Sequence, residues 1–489
     1  MTNITKLEEP NVDRVSTLGF TDDQTNAYGE LIQFINADYN PLDYKRALVG
    51  AAGTGKTYLV KALIRNCKLS YSVIGLSAPT HKAARILSES IGLSNVKINT
   101  LQSDLGLKLN LENDKFDISN PPFDPRGRIK IGSYKLYIVD EASMISRSLM
   151  LLLEKIAKTN KVKVIYIGDS YQLPPVGELY SPALKGVKTY ELKQIVRQEE
   201  DNPVRYLLDL LRYDITHKTF RFLEYISKYP ERFDDSNIKG YKVCTRDEFA
   251  NAIYTNFSDE QLTKDVDFCK VIAFRNVVIT GYNNIVRNSI IKDANKSAVT
   301  KNDLFLSYIT IVNQFNEAVI KNSEDYIIDD VVNYTHPKYE IDGFMCRFVA
   351  IHGGKVTKPL FILDHTKPDN IKKFVEYANH YIQAAKSTSN SSVRAQRWKD
   401  FYELKESCLL LNNIVDTTGR ILYGRSIDYG FALTAHKSQG STFDTTFVDV
   451  NDIVFDKNGH PYTNCEEINR RLYVACSRCR NKLYLRYGR

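Results

Sequence analysis

The first 200 residues alternate short apolar runs with segments whose apolar residues recur at helical spacing. The apolar runs are RALVG, YSVIGLS, KLYIVD and KVKVIYIGD, at 46–50, 71–77, 135–140 and 161–169. Segments at Thr57–Asn66 and from His81 onward carry the helical pattern. This alternation predicts a parallel sheet covered by helices on both faces. Ligands of such sheets bind beyond the carboxyl ends of the strands, so the residues after each run are candidates for chemistry.

Two stretches interrupt this alternation. Residues 105–133 contain the alternating segment LKLNLENDKFDIS and the turn-rich PPFDPRG, which predicts a small inserted hairpin. Residues 303–423 contain strand-like pieces around a polar helical stretch, which predicts a β-rich insertion with a helical arm. We therefore expect a first α/β domain at 1–195 with the hairpin inside it, a second at 196–302 and 424–489, and the insertion at 303–423.

Composition narrows the class of protein. The chain is 43% hydrophobic and 25% charged, which is typical of a globular protein and excludes wholesale disorder. No apolar run approaches the roughly 18 residues that cross a bilayer, and the N-terminus does not resemble a secretory signal. Eight dispersed cysteines fit a reducing compartment, so we expect a cytoplasmic protein without a membrane partner. The net charge of +8 permits a nucleic-acid partner without demonstrating one.

The strongest motif is the phosphate loop, Gly50-Ala51-Ala52-Gly53-Thr54-Gly55-Lys56-Thr57, which fits G-x-x-x-x-G-K-T between a predicted strand and a predicted helix. Backbone N–H groups of such a loop surround a polyphosphate, and the helix N-terminus adds positive potential. We expect Lys56 to meet the β- and γ-phosphates of ATP and Thr57 to bind Mg²⁺. The alternative is a flexible glycine-rich turn, but a chance match has a probability on the order of 0.01.

Three further candidates belong to this site. Asp140 and Glu141 end a predicted strand, where one acid could hold Mg²⁺ and the other activate water, although a helix cap is the alternative. Gln172, in GDSYQLPPV, could contact the γ-phosphate or could belong to a proline-rich turn. Gln24 fits a capping box with Thr21, and a free amide there could also bind adenine.

The residues alone leave two interpretations for each of two arginines, and they also include one pair of cysteines. Arg197 and Arg478 are either solvated charges or arginine fingers that reach the γ-phosphate. Cys476 and Cys479 form C-x-x-C without a second pair of ligands nearby, so we expect small residues on one helix face and not a zinc site.

The ordered motifs together carry a family resemblance. From Phe20 to Arg478 the chain contains F-T-x-x-Q, GAAGTGKT, APTHKAA, DEAS, GD-x-x-QLPPV, IVRQ, TAHKSQGST and YVA-x-SR. This series resembles the superfamily 1B DNA helicases, most closely the phage Dda type, with RecD-like enzymes next. The resemblance implies two RecA-like domains and ATP-driven 5′-to-3′ movement on single-stranded DNA with duplex unwinding.

The resemblance also implies roles for individual residues. Gln24 would bind adenine, Asp140 the metal and Gln172 the γ-phosphate, with Glu141 as general base and Arg197 and Arg478 as fingers. Gln439 and Gly440 would belong to the nucleotide site. The strand would be contacted by residues of two motifs, namely Pro79, Thr80, His81, Lys82, Thr434, His436, Lys437 and Ser438. The hairpin would be the wedge that splits the duplex, with Phe116 at its tip, and the insertion would be SH3-like.

The implied partners are single-stranded DNA and single-strand/duplex junctions, together with replication or recombination proteins, and we expect a monomer. Few Gly and Pro and many Asn, Lys, Tyr and Ile residues suggest an AT-rich genome, and for a viral genome the expected compartment is the host cytoplasm. Gln102 stands where the family often has His, and Arg275-Asn276 where it often has Thr-Asn. The alternatives are an RNA helicase, a translocase that does not unwind, a nucleotide-gated clamp, or a nuclease fusion, for which the sequence offers no carboxylate cluster.

Overall fold

The computed structural model describes residues 19–109, 123–125, 128–194, 202–312 and 318–488. The chain divides into two units, one built from 1–106 and 127–200 and the other from 107–126 and 201–489. The elements up to residue 192 are strands β1 Lys45–Gly50, β2 Ile74–Ala78, β3 Lys97–Thr100, β4 Leu107–Leu109, β5 Phe123–Pro125, β6 Leu136–Val139, β7 Lys163–Gly168 and β8 Thr189–Leu192, and helices α1 Asp22–Asn36, α2 Lys56–Asn66, α3 His81–Ile91, α4 Leu101–Asp104 and α5 Arg147–Thr159.

Six of these strands form the parallel sheet of the first α/β domain, in the order β3-β2-β6-β7-β1-β8. Every residue of β2, β6 and β7 is buried, because helices cover both faces of the sheet. The core between the sheet and α1 to α3 contains large aliphatic side chains such as Leu31, Leu63 and Ile138. β4 and β5 form a separate antiparallel pair within the segment expected to be a hairpin.

The second unit contains another α/β domain. Its elements are α6 Pro203–His217, α7 Arg221–Lys228, β9 Glu231–Phe233, β10 Gly240–Cys244, α8 Arg246–Phe257, α9 Gln261–Lys264, β11 Cys269–Ala273 and α10 Asn276–Ile290, and, after the insertion, β21 Ala432–Thr434, β22 Phe443–Asp449, α13 Val450–Val454, α14 Cys465–Cys476 and β23 Cys479–Arg486. The sheet order is β21-β11-β22-β23-β10-β9, parallel except for the pair of β9 with β10.

The β insertion separates α10 from β21. It consists of β12 Leu304–Ser307, β13 Ile311–Val312, β14 Ala318–Ile320, β15 Asp325–His336, β16 Ile341–Ala350, β17 Leu360–Leu363, α11 Pro368–Ser387, α12 Ser391–Ser407, β18 Ile414–Val415, β19 Ile421–Tyr423 and β20 Ile427–Tyr429. Five strands form an antiparallel sheet in the order β17-β16-β15-β12-β20. Its last strand extends six residues past the limit expected at Tyr423, because β20 pairs with β12 before the chain re-enters the second α/β domain.

The insertion and the second α/β domain share one hydrophobic core. Phe305 and Phe348 of the insertion belong to the same buried cluster as Phe447 of the parallel sheet. The side chain of Asn283, on α10, fixes the point of re-entry, since its Oδ1 accepts hydrogen bonds from the backbone N–H groups of Phe431 and Ala432 at 3.1 and 2.7 Å. The two helices of the arm pack around buried Trp398 in a second cluster, which also contains Ile341 and Phe361 from strands of the insertion.

The expected fold class is confirmed: two α/β domains with parallel sheets and an antiparallel β insertion. In the described part of the chain, no helix combines the length and hydrophobicity needed to cross a membrane.

Candidate nucleotide site and strand-contact motifs

The strand order of the first sheet places several motifs side by side. The phosphate loop follows β1, Gln172 follows β7, Asp140 follows β6 and Thr80 follows β2. These four strands are neighbours in the order β2-β6-β7-β1, and all are parallel. Adjacent strands lie about 4.8 Å apart, so their carboxyl ends form one continuous edge that carries the candidate residues.

The phosphate loop leads directly into α2. Gly55, in the left-handed conformation with φ of +80°, precedes Lys56, the first residue of the helix, and as the N-cap residue it has no side chain to cap the N–H groups of this terminus. Lys56 Nζ donates to the carbonyl oxygens of Gly50 and Ala51 at 2.6 and 2.9 Å. The loop therefore holds an ammonium group beside a helix terminus whose N-cap residue, a glycine, supplies no side-chain acceptor, and this combination suits a polyphosphate.

Gln24 packs against the loop and is 2% exposed. Its Oε1 accepts the Thr21 N–H at 3.0 Å, which completes the capping box of α1, and its Nε2 donates to the Thr54 carbonyl at 2.9 Å. A Cβ at Gly55 would lie 2.5 Å from Gln24 Nε2, so this glycine permits the close approach. The side-chain amide thus stabilises the loop, and its expected contact with adenine stays a prediction.

Asp140 and Glu141 follow β6 in a strained backbone turn. Glu141 has φ of +48°, a left-handed conformation that costs a side-chain-bearing residue on the order of 1–3 kcal/mol. Its N–H donates to Asp140 Oδ1 at 2.9 Å, while the Asp140 N–H donates to the Ser77 carbonyl at 2.8 Å. Burial raises the pKa of the Asp140 carboxyl, against the N–H of Glu141 and the positive charge of Lys56, which lower it. Lys56 is therefore close enough to Asp140 for the two charges to interact.

Gln172 lies in a tight turn after β7 and is 6% exposed. Asp169 begins this turn: its carboxylate accepts the Tyr171 N–H at 2.9 Å and its carbonyl accepts the Gln172 N–H at 3.2 Å. An aspartate that binds the N–H two residues ahead is a common turn initiator. The structure thus supports the turn, and the contact of Gln172 with a γ-phosphate stays a prediction.

These residues fit a nucleoside triphosphate with Mg²⁺. The N-terminus of α2, with glycine as its N-cap residue, and the Lys56 ammonium are donors for phosphate oxygens, and Asp140, whose pKa burial raises, would be stabilised in its charged form by a cation. Thr57 and Asp140 would hold the ion, which supplies positive charge next to the phosphates.

The APTHK motif forms the start of α3. Thr80 is the N-cap residue, and its Oγ1 accepts the Ala83 N–H at 3.2 Å. His81 is the first helical residue, whereas Lys82 is only 6% exposed. The four expected contacts of residues 79–82 with DNA stay predictions, and Lys82 is the least accessible of these residues.

The TAHKSQG motif follows β21. Ser438 is fully buried and its Oγ donates to the Ala435 carbonyl at 2.9 Å, while Gln439 is 7% exposed. Gly440 has φ of +74°, so the turn requires a residue without a Cβ. Thr434 Oγ1 accepts the Lys437 N–H at 3.2 Å. The expected roles of Gln439 and Gly440 toward nucleotide, and of Thr434 and Ser438 toward DNA, are not tested by these contacts.

His436 lies in a cationic environment. Burial lowers the pKa of its imidazole, and Arg471 on α14 lowers it further, while Glu467 raises it. The Arg471 guanidinium stacks on the Phe274 ring, with its Cζ 3.5 Å from the ring centroid, and pairs with Glu467. His436 is therefore neutral at pH 7 and can stack or share a hydrogen bond without contributing charge.

Arg478 is 5% exposed, and its guanidinium is held by its own domain. It donates to the carbonyls of Val474 and Ser441, each at 3.1 Å, and to Ser477 Oγ at 2.8 Å. The interpretation as a solvated surface charge is therefore wrong for Arg478, and its role as a finger stays a prediction. Arg197 and Phe116 lie outside the described residues.

Sequence reasoning missed four residues of the second unit. Asp452 caps the backbone at the end of β11, and Tyr308, Asn322 and Arg425 surround Lys437. None belongs to a contiguous motif, and each acts on a residue far away in the chain. A search for polar residues at strand and turn ends would have found them only as members of a long list.

Two family models match the chain. The AAA domain model covers residues 41–227, and the UvrD-like helicase C-terminal domain model covers residues 189–489, more than half of the sequence. An uncharacterized protein of Acanthamoeba polyphaga mimivirus is 25% identical over 95% of this chain and 99% of its own length.

Two relatives carry functional names. The ATP-dependent RecD2 DNA helicase of Deinococcus radiodurans is 33% identical over 32% of this chain, and the ATP-dependent DNA helicase PIF1 of Candida albicans is 24% identical over 84%. The chain spans 20% of the first and 50% of the second.

Among solved structures, a Bacteroides Pif1 bound to ssDNA has a TM-score of 0.49 at 16% identity, with 95% of this chain and 92% of that chain covered. The UvrD-like model, which matches more than half of the sequence, shows that this chain belongs to the UvrD-like helicases.

Proposed function

We propose that this protein couples ATP hydrolysis to 5′-to-3′ movement on single-stranded DNA and unwinds the duplex ahead of it. One observation carries the proposal. In a chain of the UvrD-like family, Lys56, Gln172 and Asp140 follow three adjacent parallel strands, beside a helix terminus whose N-cap residue is a glycine without a capping side chain. This arrangement is typical of a site for phosphoryl transfer to water, and a purely structural role would not require it.

The chemistry divides among a few side chains. Lys56 neutralises charge that develops on the transferred phosphoryl group, and Glu141 accepts a proton from the attacking water. Gln172 contacts the γ-phosphate, so hydrolysis removes its partner. Arg197 and Arg478 supply further positive charge. For Arg478 this requires that its bonds to the Val474 and Ser441 carbonyls be exchanged for phosphate oxygens.

Strand binding would involve two motifs that follow parallel strands in the two α/β domains. Thr80 and His81 stand at the start of α3, Thr434 is the last residue of β21 and His436 follows that strand. Backbone N–H groups, hydroxyls and a neutral imidazole can contact phosphates and stack on bases without reading their sequence. Affinity for single strands should therefore be largely independent of sequence and should fall steeply with salt.

We also propose, from the order of the motifs, that the enzyme is of the phage Dda type and works as a monomer at single-strand/duplex junctions. Replication, recombination and repair of DNA are the processes that generate such junctions, and their proteins are the expected partners.

The decisive experiment measures strand displacement from duplexes that carry either a 5′ or a 3′ single-stranded tail, with ATP. We expect the 5′-tailed duplex to be unwound and the 3′-tailed and blunt duplexes to remain intact. Unwinding of the 3′-tailed duplex alone would contradict the polarity. Steady ATP turnover without displacement would indicate a translocase, a single burst a nucleotide-gated clamp, and stronger stimulation by RNA an RNA helicase.

A further inference from the structure

Lys437 belongs to the TAHKSQG motif, yet its side chain contacts the β insertion. Its Nζ donates to Asn322 Oδ1 at 2.7 Å and lies 4.6 Å from the centroid of the Tyr308 ring. Tyr308 follows β12, and Asn322 stands in the turn between β14 and β15. A half-buried amine of the second α/β domain is therefore placed by two residues of another fold element.

The ring beside Lys437 is itself fixed. Tyr308 Oη accepts a hydrogen bond from Arg425 Nη2 at 2.9 Å, and the Tyr308 N–H donates to the Ser426 carbonyl at 2.9 Å. Arg425 Cζ lies 4.2 Å from the same ring centroid, and Arg425 also pairs with Asp428. Since both ends of Tyr308 are held, its ring is a rigid surface for the Lys437 amine.

The charged groups around Lys437 form pairs among themselves: Arg425 with Asp428, and Lys270 with Asp325. Burial and the Arg425 guanidinium lower the pKa of the Lys437 amine to about 7, and Asp325 opposes this change. Asp325 is itself 3.5 Å from the Lys270 ammonium, which offsets its negative charge. The acceptor that Lys437 contacts, Asn322 Oδ1, belongs to an uncharged amide. A phosphate bound here would therefore pair with the ammonium form of Lys437.

We propose that Tyr308 and Asn322 of the β insertion are positioning residues, which hold the Lys437 amine where it binds a phosphate of the DNA strand. This rests on the proposed strand-binding function and extends it. The β insertion then determines how strongly the second α/β domain holds the strand, although the motif that contacts the strand lies outside the insertion.

If Lys437 binds a phosphate, strand binding is coupled to uptake of a proton by this side chain. A phosphate next to Lys437 favours the ammonium form, so the pKa of Lys437 is higher in the complex than in the free protein. Binding above pH 7 then takes up a proton. The corresponding part of the affinity is complete below the pKa of the free protein and is lost as the pH rises through that of the complex.

The test is calorimetric titration of the full chain with a short oligothymidylate. Titrations at pH 8 in two buffers of different ionisation enthalpy give the number of protons taken up on binding. Titrations from pH 7 to 9 give the pH dependence of the affinity. The wild type should take up a proton, and its affinity should fall by about threefold to tenfold across this range. Lys437→Arg keeps a permanent cation and should bind without proton uptake and with a flat profile. Lys437→Met should bind more weakly, also without uptake. Because His436 is present in every variant, its contribution to proton uptake cancels when the variants are compared.

Asn322→Asp tests the positioning. A carboxylate 2.7 Å from Nζ should charge Lys437 before DNA arrives, so proton uptake at pH 8 should disappear and the pH profile should flatten to within about twofold. Tyr308→Phe, which keeps the ring and loses the bond to Arg425, should retain part of the uptake. Lys338→Met, an exposed lysine of the insertion paired with Glu403, is the matched control and should behave as wild type.

The outcomes separate the two proposals. A wild-type pH profile in Asn322→Asp, or undiminished proton uptake in Lys437→Met, would overturn the positioning role while leaving strand binding intact. Absence of any binding by the folded wild type would overturn the proposed function and this inference with it.

Discussion

In the first α/β domain β1 leads into α2 through the phosphate loop, and in the second β11 leads into α10 through Phe274 and Arg275. The N-cap residue of α2 is Gly55, which has no side chain to cap the terminus. At α10, in contrast, Asp452 Oδ2 accepts the N–H groups of Phe274 and Arg275 at 2.7 and 2.8 Å, and the carboxylate also pairs with the Arg275 side chain. The second domain supplies its own anion where the first leaves room for one from outside.

The two junctions also differ in the first residue of the helix that follows. It is Lys56 in α2 and Asn276 in α10, whose Oδ1 accepts a hydrogen bond from Arg425. One junction therefore presents a cation and the other an amide that is already occupied. The comparison teaches that parallel topology provides two equivalent helix termini, and that the residues at the junction decide which of them binds phosphate.

The largest expected effect comes from removing the cation of the first junction. Lys56→Ala should lower DNA-stimulated ATPase by about 10³-fold or more, because charge on the transferred phosphoryl group loses its neutralising partner, while strand binding is retained. Steady-state ATPase and anisotropy measure the two properties. Lys61→Ala, on the same helix, is the control, and full activity in Lys56→Ala would reject the assignment of the phosphate loop.

Glu141→Gln separates hydrolysis from phosphate binding at the first junction. We expect ATP affinity near that of the wild type and a turnover number lowered by about 10²- to 10³-fold, since the amide cannot accept the proton of the attacking water. Single-turnover hydrolysis and equilibrium binding of a labelled nucleotide measure the two quantities. An equal loss of both would make Glu141 a structural residue of its strained turn.

At the second junction Asp452→Ala should destabilise the domain without creating a nucleotide site. It leaves Arg275 and two backbone donors without their carboxylate, and we expect the free energy of unfolding to fall by about 3 kcal/mol in urea titrations. Glu466→Ala, which removes an exposed pair with Arg470, should change it by less than about 0.5 kcal/mol. New nucleotide binding by Asp452→Ala would show that an open terminus alone suffices, contrary to the comparison.

The smallest effect concerns a residue outside both junctions. Phe116→Ala should lower unwinding several-fold and leave ATPase nearly unchanged, because a wedge acts on the duplex and not on the nucleotide. Strand displacement and ATPase measured on the same fork test this. Equal loss of both activities, or of neither, would remove Phe116 from the wedge.

The first junction could be predicted from sequence because its chemistry is contiguous. Gly50 to Thr57 form one uninterrupted motif, and the rule that ligands bind at the carboxyl ends of parallel strands brings Asp140 and Gln172 to the same edge. The alternation of apolar runs likewise predicts the two parallel sheets and the antiparallel insertion, since buried strands and helices have different hydrophobic periods.

The second junction and the surroundings of Lys437 could not be predicted in this way. Asp452 caps a backbone group 178 residues earlier in the chain, and Asn322 binds a lysine 115 residues later. Such pairs leave no local pattern, because an aspartate in a helical turn and an asparagine in a β turn have ordinary local roles. The members of each pair meet only through tertiary packing, within the second α/β domain for Asp452 and between that domain and the insertion for Asn322.

Asn283 has a consequence for how this fold can be altered. By binding the N–H groups of Phe431 and Ala432, it fixes the register of β21 independently of the length of chain that precedes it. The entropy of closing an excursion grows only logarithmically with its length, so shortening the helical arm should change the closure free energy by less than about 1 kcal/mol. Chimaeras that exchange the arm between homologues are therefore feasible as long as this asparagine clamp is retained.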